Sequence, residues 1–168
     1  MDRLAQIPVT MNMTASVLAA GTTSTLSQSH AATYAIRGKM YVQSAAWSNQ
    51  ATPTTDLNGN AFTAVQPGYG SVFTIGVDHS GNMKVSQGGI QALDSNGNFI
   101  TAPQFGSLGP DGSGSNDGDF CPLGYVVVKV GSSGAAWTFG TSNFAGPLTG
   151  VTFAFQDVAT LPDRPQVS

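Results

Sequence analysis

A strand and a tight turn meet in the sequence Val72-Phe-Thr-Ile-Gly-Val-Asp-His-Ser-Gly-Asn-Met83. Its first half alternates apolar and polar residues with period two, which predicts a β-strand. In the second half we expect the Asp78 carboxylate to cap its own turn and Gly81 to take the positive φ of a tight reversal. The same pattern returns as Asp56-Leu-Asn-Gly-Asn60 and as Asp94-Ser-Asn-Gly-Asn98. Three such hairpin turns indicate an antiparallel β protein.

Further short strands are expected between turns. Strand patterning predicts them at 34–42 with Gly38 as a bulge, and at 83–86, 89–93, 99–102, 123–130, 136–139 and 150–158. The run 123–130 is nearly all apolar and β-branched, which suggests burial on both faces or a subunit interface. In the last strand, Val151, Phe153 and Phe155 share one face. About eight strands predict an all-β fold, namely an antiparallel sandwich, a jelly-roll-like fold or a small barrel.

The two ends of the chain differ from this β region, which we place at 34–160. Residues 1–33 are rich in Thr, Ser, Ala and Gln, and we expect an extended N-terminal arm, either disordered or ordered on a neighbouring subunit by strand addition. A short helix over 24–32 is an alternative within it. Residues 161–168 carry two prolines and form a tail, which is a candidate for docking on a partner.

Charge is scarce in this chain of 168 residues, because only 9% of them are charged, against about 25% in an average domain. All nine acids are Asp, and the formal net charge is −3. The six Lys and Arg residues are scattered, which excludes a phosphate-binding surface and hence nucleic acid as a partner. No run approaches the roughly 18 apolar residues of a membrane span. The segment 15–20 lacks the basic cluster of a signal peptide, so we expect synthesis in the cytoplasm.

Catalytic chemistry is not indicated. The chain has two histidines, of which His30 lies in the polar arm and His79 at a hairpin tip, and neither position suits a general base in nucleophilic catalysis. Cys121 is best interpreted as a small buried hydrophobe. We therefore predict that the protein is not an enzyme and uses no cofactor.

Metal binding has one weak candidate. The Asp-Gly-Asn turns place Gly fourth rather than sixth, and the chain has no Glu to complete a calcium loop, so the hairpin interpretation is preferred for them. The loop 109–119 is Gly-rich and acidic, and it contains Asp111, Asp117 and Asp119. We predict no metal site, with those three carboxylates as the weak alternative.

Exposed aromatic residues offer a second kind of site. Trp47 and Tyr69 are candidates for stacking on a glycan, whereas Trp137 alternates with Phe139 in a strand and is expected in the core or at a subunit contact.

Several segments together resemble small structural proteins of tailed bacteriophages that are encoded among head genes. They are Pro53-Thr-Thr-Asp56, Ala61-Phe-Thr63, Gly70-Ser-Val-Phe73, the stretch from Asp78 to Lys84, Ala102-Pro-Gln-Phe105, Pro122-Leu-Gly-Tyr-Val-Val-Val-Lys129 and Leu161-Pro-Asp-Arg-Pro165. The resemblance covers roughly residues 34–168. It implies a virion component on the outer capsid surface, a decoration (cement) protein that clamps subunits of the major capsid protein, often as a homotrimer. A dimer is as compatible with the residues as a trimer.

On this hypothesis the arm and the tail carry the contacts with the capsid and with other copies. The expected contact residues are Thr10, Met11, Met13, Leu18, Thr25, Leu161, Arg164 and Pro165. The alternative is a receptor- or glycan-binding virion module, such as a head or tail fibre domain, that uses Trp47 and Tyr69.

Overall fold

The computed structural model describes residues 9–108, 118–145 and 148–167. These residues form β-strands and no helix, arranged in three antiparallel sheets without a closed barrel. The all-β prediction is confirmed, and the sandwich alternative fits better than the barrel. The strands are β1 Met11–Asn12, β2 Leu18–Ala20, β3 Thr25–Gln28, β4 Thr33–Ile36, β5 Lys39–Val42, β6 Gln50–Ala51, β7 Tyr69–Val77, β8 Met83–Gln87, β9 Gln91–Ala92, β10 Cys121–Val130 and β11 Val151–Asp157.

The largest sheet has the order β11-β10-β7-β8, with β9 also paired to β7. β7 and β10 are its central strands, and they pair from Cys121 opposite Val77 to Val130 opposite Tyr69. Both faces of β10 are buried, as the sequence predicted. One face joins the main core, and the other forms a second cluster around Tyr125 and Val127.

Aromatic rings fill the main core. The ring centroids of Phe73 and Phe139 lie 5.0 Å apart, and Trp137 meets Phe73 edge-on at 5.7 Å. Trp137 is buried, as predicted, and its indole N–H donates to the Asn143 carbonyl at 2.9 Å. The predicted face of β11 also packs on this core through Val151, Phe153 and Phe155.

All three Asp-Gly-Asn turns form as predicted. In each turn one Asp carboxylate oxygen accepts the backbone N–H groups two and four residues further on, at 2.8–2.9 Å. The glycines have φ values of 85°, 80° and 78° at Gly59, Gly81 and Gly97. The turns close the residue pairs Thr55 and Ala61, Val77 and Met83, and Leu93 and Phe99.

Three strand predictions are wrong in detail. The segment predicted as one strand with a bulge at Gly38 is the hairpin of β4 and β5, because Arg37 and Gly38 both take positive φ, 50° and 78°. Two consecutive residues of this kind make the two-residue turn that matches strand twist. The strands expected at 99–102 and 136–139 are reduced to single bridges, from Phe99 to Leu93 and from Trp137 to Val65.

The described part of the expected N-terminal arm packs on its own domain, whereas the sequence predicts an arm that is disordered or ordered on a neighbouring subunit. β1 pairs with β4, and β3 lies between β2 and β6. Leu26 is fully buried in the main core. Alternate side chains of β3 point inward, so the segment Thr25–Gln28 is a strand and the alternative helix over 24–32 is wrong. Residues 1–8 lie outside the described residues.

The C-terminal segment also covers its own domain. Leu161 and Val167 pack on the second hydrophobic cluster, and the Gln166 N–H donates to the Tyr125 hydroxyl at 2.8 Å. The Lys129 ammonium donates to the Val167 carbonyl at 3.3 Å. Since β10 is apolar on both faces, its second face needs a cover, and the tail supplies part of it.

Candidate interaction surface

The three-stranded sheet β1-β4-β5 turns one face inward and one outward. Its register places Ala35 between Met11 and Met40, and Tyr34 between Asn12 and Tyr41. Side chains alternate between the faces of a sheet. Tyr34 belongs to the main core, so the row that contains Met11 and Met40 lies on the outward side.

Apolar side chains dominate this outward side. Met40 is 61% exposed, Val42 is 73% exposed and Met13 is 46% exposed. Met13 follows β1 and stays beside β4, because its N–H donates to the Thr33 carbonyl at 2.8 Å. Val9 continues the alternation of β1, and its carbonyl accepts the Gly38 N–H at 2.9 Å. We call this set the apolar face, defined as Val9, Met11, Met13, Met40 and Val42.

The apolar face holds four of the eight large apolar side chains that are exposed among the described residues. Single exposed hydrophobic residues are ordinary, whereas a cluster of them marks an interaction site. Methionine is unbranched and polarisable, so it adapts to the shape of a partner. The arrangement therefore suits binding of an apolar protein surface.

The inner side of the β4–β5 hairpin holds the apolar face in place. The Tyr41 ring stacks on Tyr34, with centroids 5.7 Å apart, and the Lys39 ammonium lies 5.2 Å from the Tyr41 ring centroid. The Tyr34 hydroxyl donates to the Asp78 carbonyl at 2.8 Å. Burial, and then the nearby Asp78 carboxylate, raises the pKa of Tyr34 to about 12, so this donor keeps its proton at physiological pH.

One edge of the same sheet is open. A two-residue turn makes Ile36 and Lys39 a hydrogen-bonded pair. Along β5 from Lys39, the N–H and C=O groups of successive residues therefore point alternately toward β4 and away from it. The N–H and C=O groups of Met40 and Val42 consequently point away from β4. Within the described part of the chain these four groups have no hydrogen-bond partner.

The structure brings together three of the residues expected to make capsid or subunit contacts. Met11 and Met13 belong to the apolar face, and Thr10 lies beside it with its hydroxyl oxygen accepting the Arg37 N–H at 3.0 Å. Val9, Met40 and Val42 were missed by the sequence interpretation. For Met40 and Val42 the sequence carries a signal, namely the alternation of Lys39-Met-Tyr-Val42 after Gly38, which is compatible both with a hairpin and with one continuous strand.

The other expected contact residues lie elsewhere. Leu18 is buried in the main core, and Pro165 is buried near the end of the chain. Leu161 packs in the second cluster, Thr25 is half-buried in β3, and Arg164 is exposed. Leu18 and Pro165 are therefore unable to meet a partner without local unfolding.

The alternative glycan site loses one of its two aromatic residues. Trp47 is only 7% exposed and packs in the main core, so it offers no open ring face. Tyr69 remains 42% exposed at the start of β7. Of the two candidate rings, only that of Tyr69 is exposed in this structure.

The weak metal candidate is only partly visible. Asp111 and Asp117 lie outside the described residues. The Asp119 carboxylate accepts the His79 backbone N–H at 2.8 Å and contacts His79 Nδ1. Among residues 9–108, 118–145 and 148–167, no three His, Cys, Asp or Glu side chains are grouped as metal ligands.

Comparisons of the chain with protein-family models, with curated proteins and with solved structures found no match. Within the described ranges, no helix is long and apolar enough to cross a membrane.

Proposed function

We propose that this chain is a structural protein of a bacteriophage virion, which binds the outer surface of the assembled capsid and stabilises it. The resemblance to head-gene products supports the class of protein. The observation that carries the proposal for this site is the apolar face, because it presents adaptable apolar side chains on a well-packed hairpin.

The mechanism is thermodynamic. A protein that binds only the assembled shell adds its binding free energy to the stability of that state. Repeated copies on a lattice convert a modest contact into strong overall retention wherever the copies are linked. Binding to a capsid requires a stable contact surface and no catalytic residues. The proposal therefore agrees with the sequence-based prediction of a protein that is not an enzyme.

The test is co-sedimentation of the purified protein with mature shells of its own phage. We expect saturable binding that Met13→Lys weakens by about tenfold or more, because the exposed half of a methionine is worth about 1 kcal/mol on burial and a lysine resists desolvation. The matched control is Ile100→Lys, since Ile100 is 67% exposed and lies outside the apolar face.

Both variants carry the same added charge, so only the location differs. Equal binding by M13K and I100K would contradict the assignment of the apolar face. A wild-type protein that does not bind shells at all would contradict the proposed function itself. Thermal melts of both variants serve to show that they are folded.

A further inference from the structure

We infer that the open edge of β5 pairs antiparallel with β5 of a second copy of this chain, across a twofold axis. The pairing joins two three-stranded sheets into one six-stranded sheet. The inference rests on the geometry of the hairpin and stands whether or not the protein binds a capsid.

The backbone groups of β5 are complementary to themselves. With Met40 opposite the second copy's Val42, and Val42 opposite the second copy's Met40, each N–H faces a C=O and all four outward groups of each copy are satisfied. Tyr41 then lies on the twofold axis as a pair without direct backbone bonds. A twofold interface requires this kind of self-complementary surface.

The charges fit the same register. Lys39, the one charged residue of β5, lies opposite Gln43 of the second copy. The two lysines are then four residues apart along the strand direction, about 14 Å at 3.4 Å per residue. This exceeds the Debye length of about 8 Å at physiological salt. A register shifted to place Met40 opposite itself would bring the lysines to about half that separation.

Apart from Lys39 and its short length, β5 has none of the features that keep edge strands apart. β5 contains no proline, its pairing with β4 shows no bulge, and no charged side chain lies within Met40, Tyr41 and Val42. Open apolar edges of this kind pair with other strands. Pairing would leave the two apolar faces on the same side of the joined sheet, so the second copy would double the surface proposed to meet a partner.

The experiment is sedimentation equilibrium of the full chain over a range of concentrations. We expect a mass of twice the 17.2 kDa of one chain. Val42→Pro removes an outward N–H and blocks the edge, and proline at such an edge position leaves the strand itself intact. We expect V42P to be a monomer. Val42→Thr keeps the N–H and the branched shape, and it should remain a dimer.

The outcomes separate this inference from the proposed function. A wild-type protein that is monomeric at all concentrations, a trimer, or a dimer that V42P does not dissociate would each overturn the β5 pairing. Hydrogen exchange gives a second readout, because the outward amide of Met40 should be protected in the wild type and in V42T and should exchange rapidly in V42P. M13K should dimerise like the wild type, even where it fails to bind shells.

Discussion

Replacing Asp157 with Ala should release the N-terminal segment from the end of β11. The two carboxylate oxygens of Asp157 accept the backbone N–H groups of Val17 and Leu18 at 2.8 and 3.0 Å. Val17 has a φ of 52°, which is unusual for a β-branched residue. The carboxylate therefore holds a strained bend that brings β2 onto the domain.

The size of the effect follows from comparable contacts. A carboxylate that accepts a backbone N–H at an exposed helix start contributes about 1 kcal/mol, and Asp157 makes two such bonds. We expect D157A to lower the free energy of unfolding by about 2 kcal/mol. With an m-value of about 2 kcal/mol/M for urea, the midpoint falls by about 1 M. Local opening of the segment should become about 30-fold more frequent.

Urea unfolding and hydrogen exchange measure the two quantities. Gln156→Ala is the matched control, because Gln156 is the adjacent exposed residue of β11. D157N should retain part of the effect, since its amide oxygen still accepts one bond. If D157A and Q156A unfold at the same urea concentration, and the amides around Leu18 exchange no faster in D157A, the bend is not held by this carboxylate.

Two further predictions concern the Cys121 thiol and two glycines, one in β7 and one in a turn. Burial raises the pKa of the Cys121 thiol to about 12 from 9.0, so the folded protein should resist Ellman's reagent at pH 8. The protonated thiol contributes fully to the free energy of unfolding below pH 9, and this contribution should fall as the pH rises toward 12. Urea unfolding measured between pH 9 and pH 12 tests this. Gly97→Ala should cost only about 1–2 kcal/mol for its positive φ, because nothing lies within 4 Å of the added Cβ. Gly76→Ala should lower the free energy of unfolding by more than about 4 kcal/mol, because its Cβ would lie 2.2 Å from the Cys121 carbonyl oxygen. Equal urea midpoints for G97A and G76A would contradict this close approach of β7 and β10.

The turns and the central strands were predictable because their signals are local. An Asp carboxylate reaches the amides two and four residues ahead whatever the rest of the chain does, and the glycine supplies the φ. The segment 123–130 was likewise recognisable, since continuous β-branched residues predict burial on both faces. The bounds of these two central strands, β7 and β10, differ from the predicted ones by three residues at most.

The N-terminal strands were missed because their partners are remote. β1 pairs with β4 through two residues only, and β2 depends on the Asp157 carboxylate, which lies 140 residues away along the chain from Val17. Segments rich in Thr and Ser carry weak patterning, and their order comes from tertiary contacts such as the burial of Leu26. No local signal distinguishes such a segment from a free arm.

The candidate surface was only half predictable for a related reason. The expected contact residues Met11 and Met13 lie in the segment interpreted as an arm, but Met40 and Val42, the two most exposed residues of the face, come from β5. The two-residue turn at Arg37 and Gly38 reverses the chain and places Met40 beside Ala35. If Gly38 were a bulge, Met40 and Val42 would continue the same strand as Tyr34, and they would not lie beside β4 on the face that Met11 and Met13 share.

Most of the charged side chains in the described part of the chain are engaged within the fold, which determines how the protein is able to associate. Five carboxylates hold turns or neighbouring backbone, namely those of Asp56, Asp78, Asp94, Asp119 and Asp157. Basic groups are engaged in the same way, since Lys129 donates to the Val167 carbonyl and Lys84 lies 3.9 Å from Asp78. Because few charged groups of the described residues are left to steer a partner, we expect association to depend on apolar side chains and unpaired backbone groups. Both are found together on the β4–β5 hairpin, and contacts of that kind should change little with salt concentration.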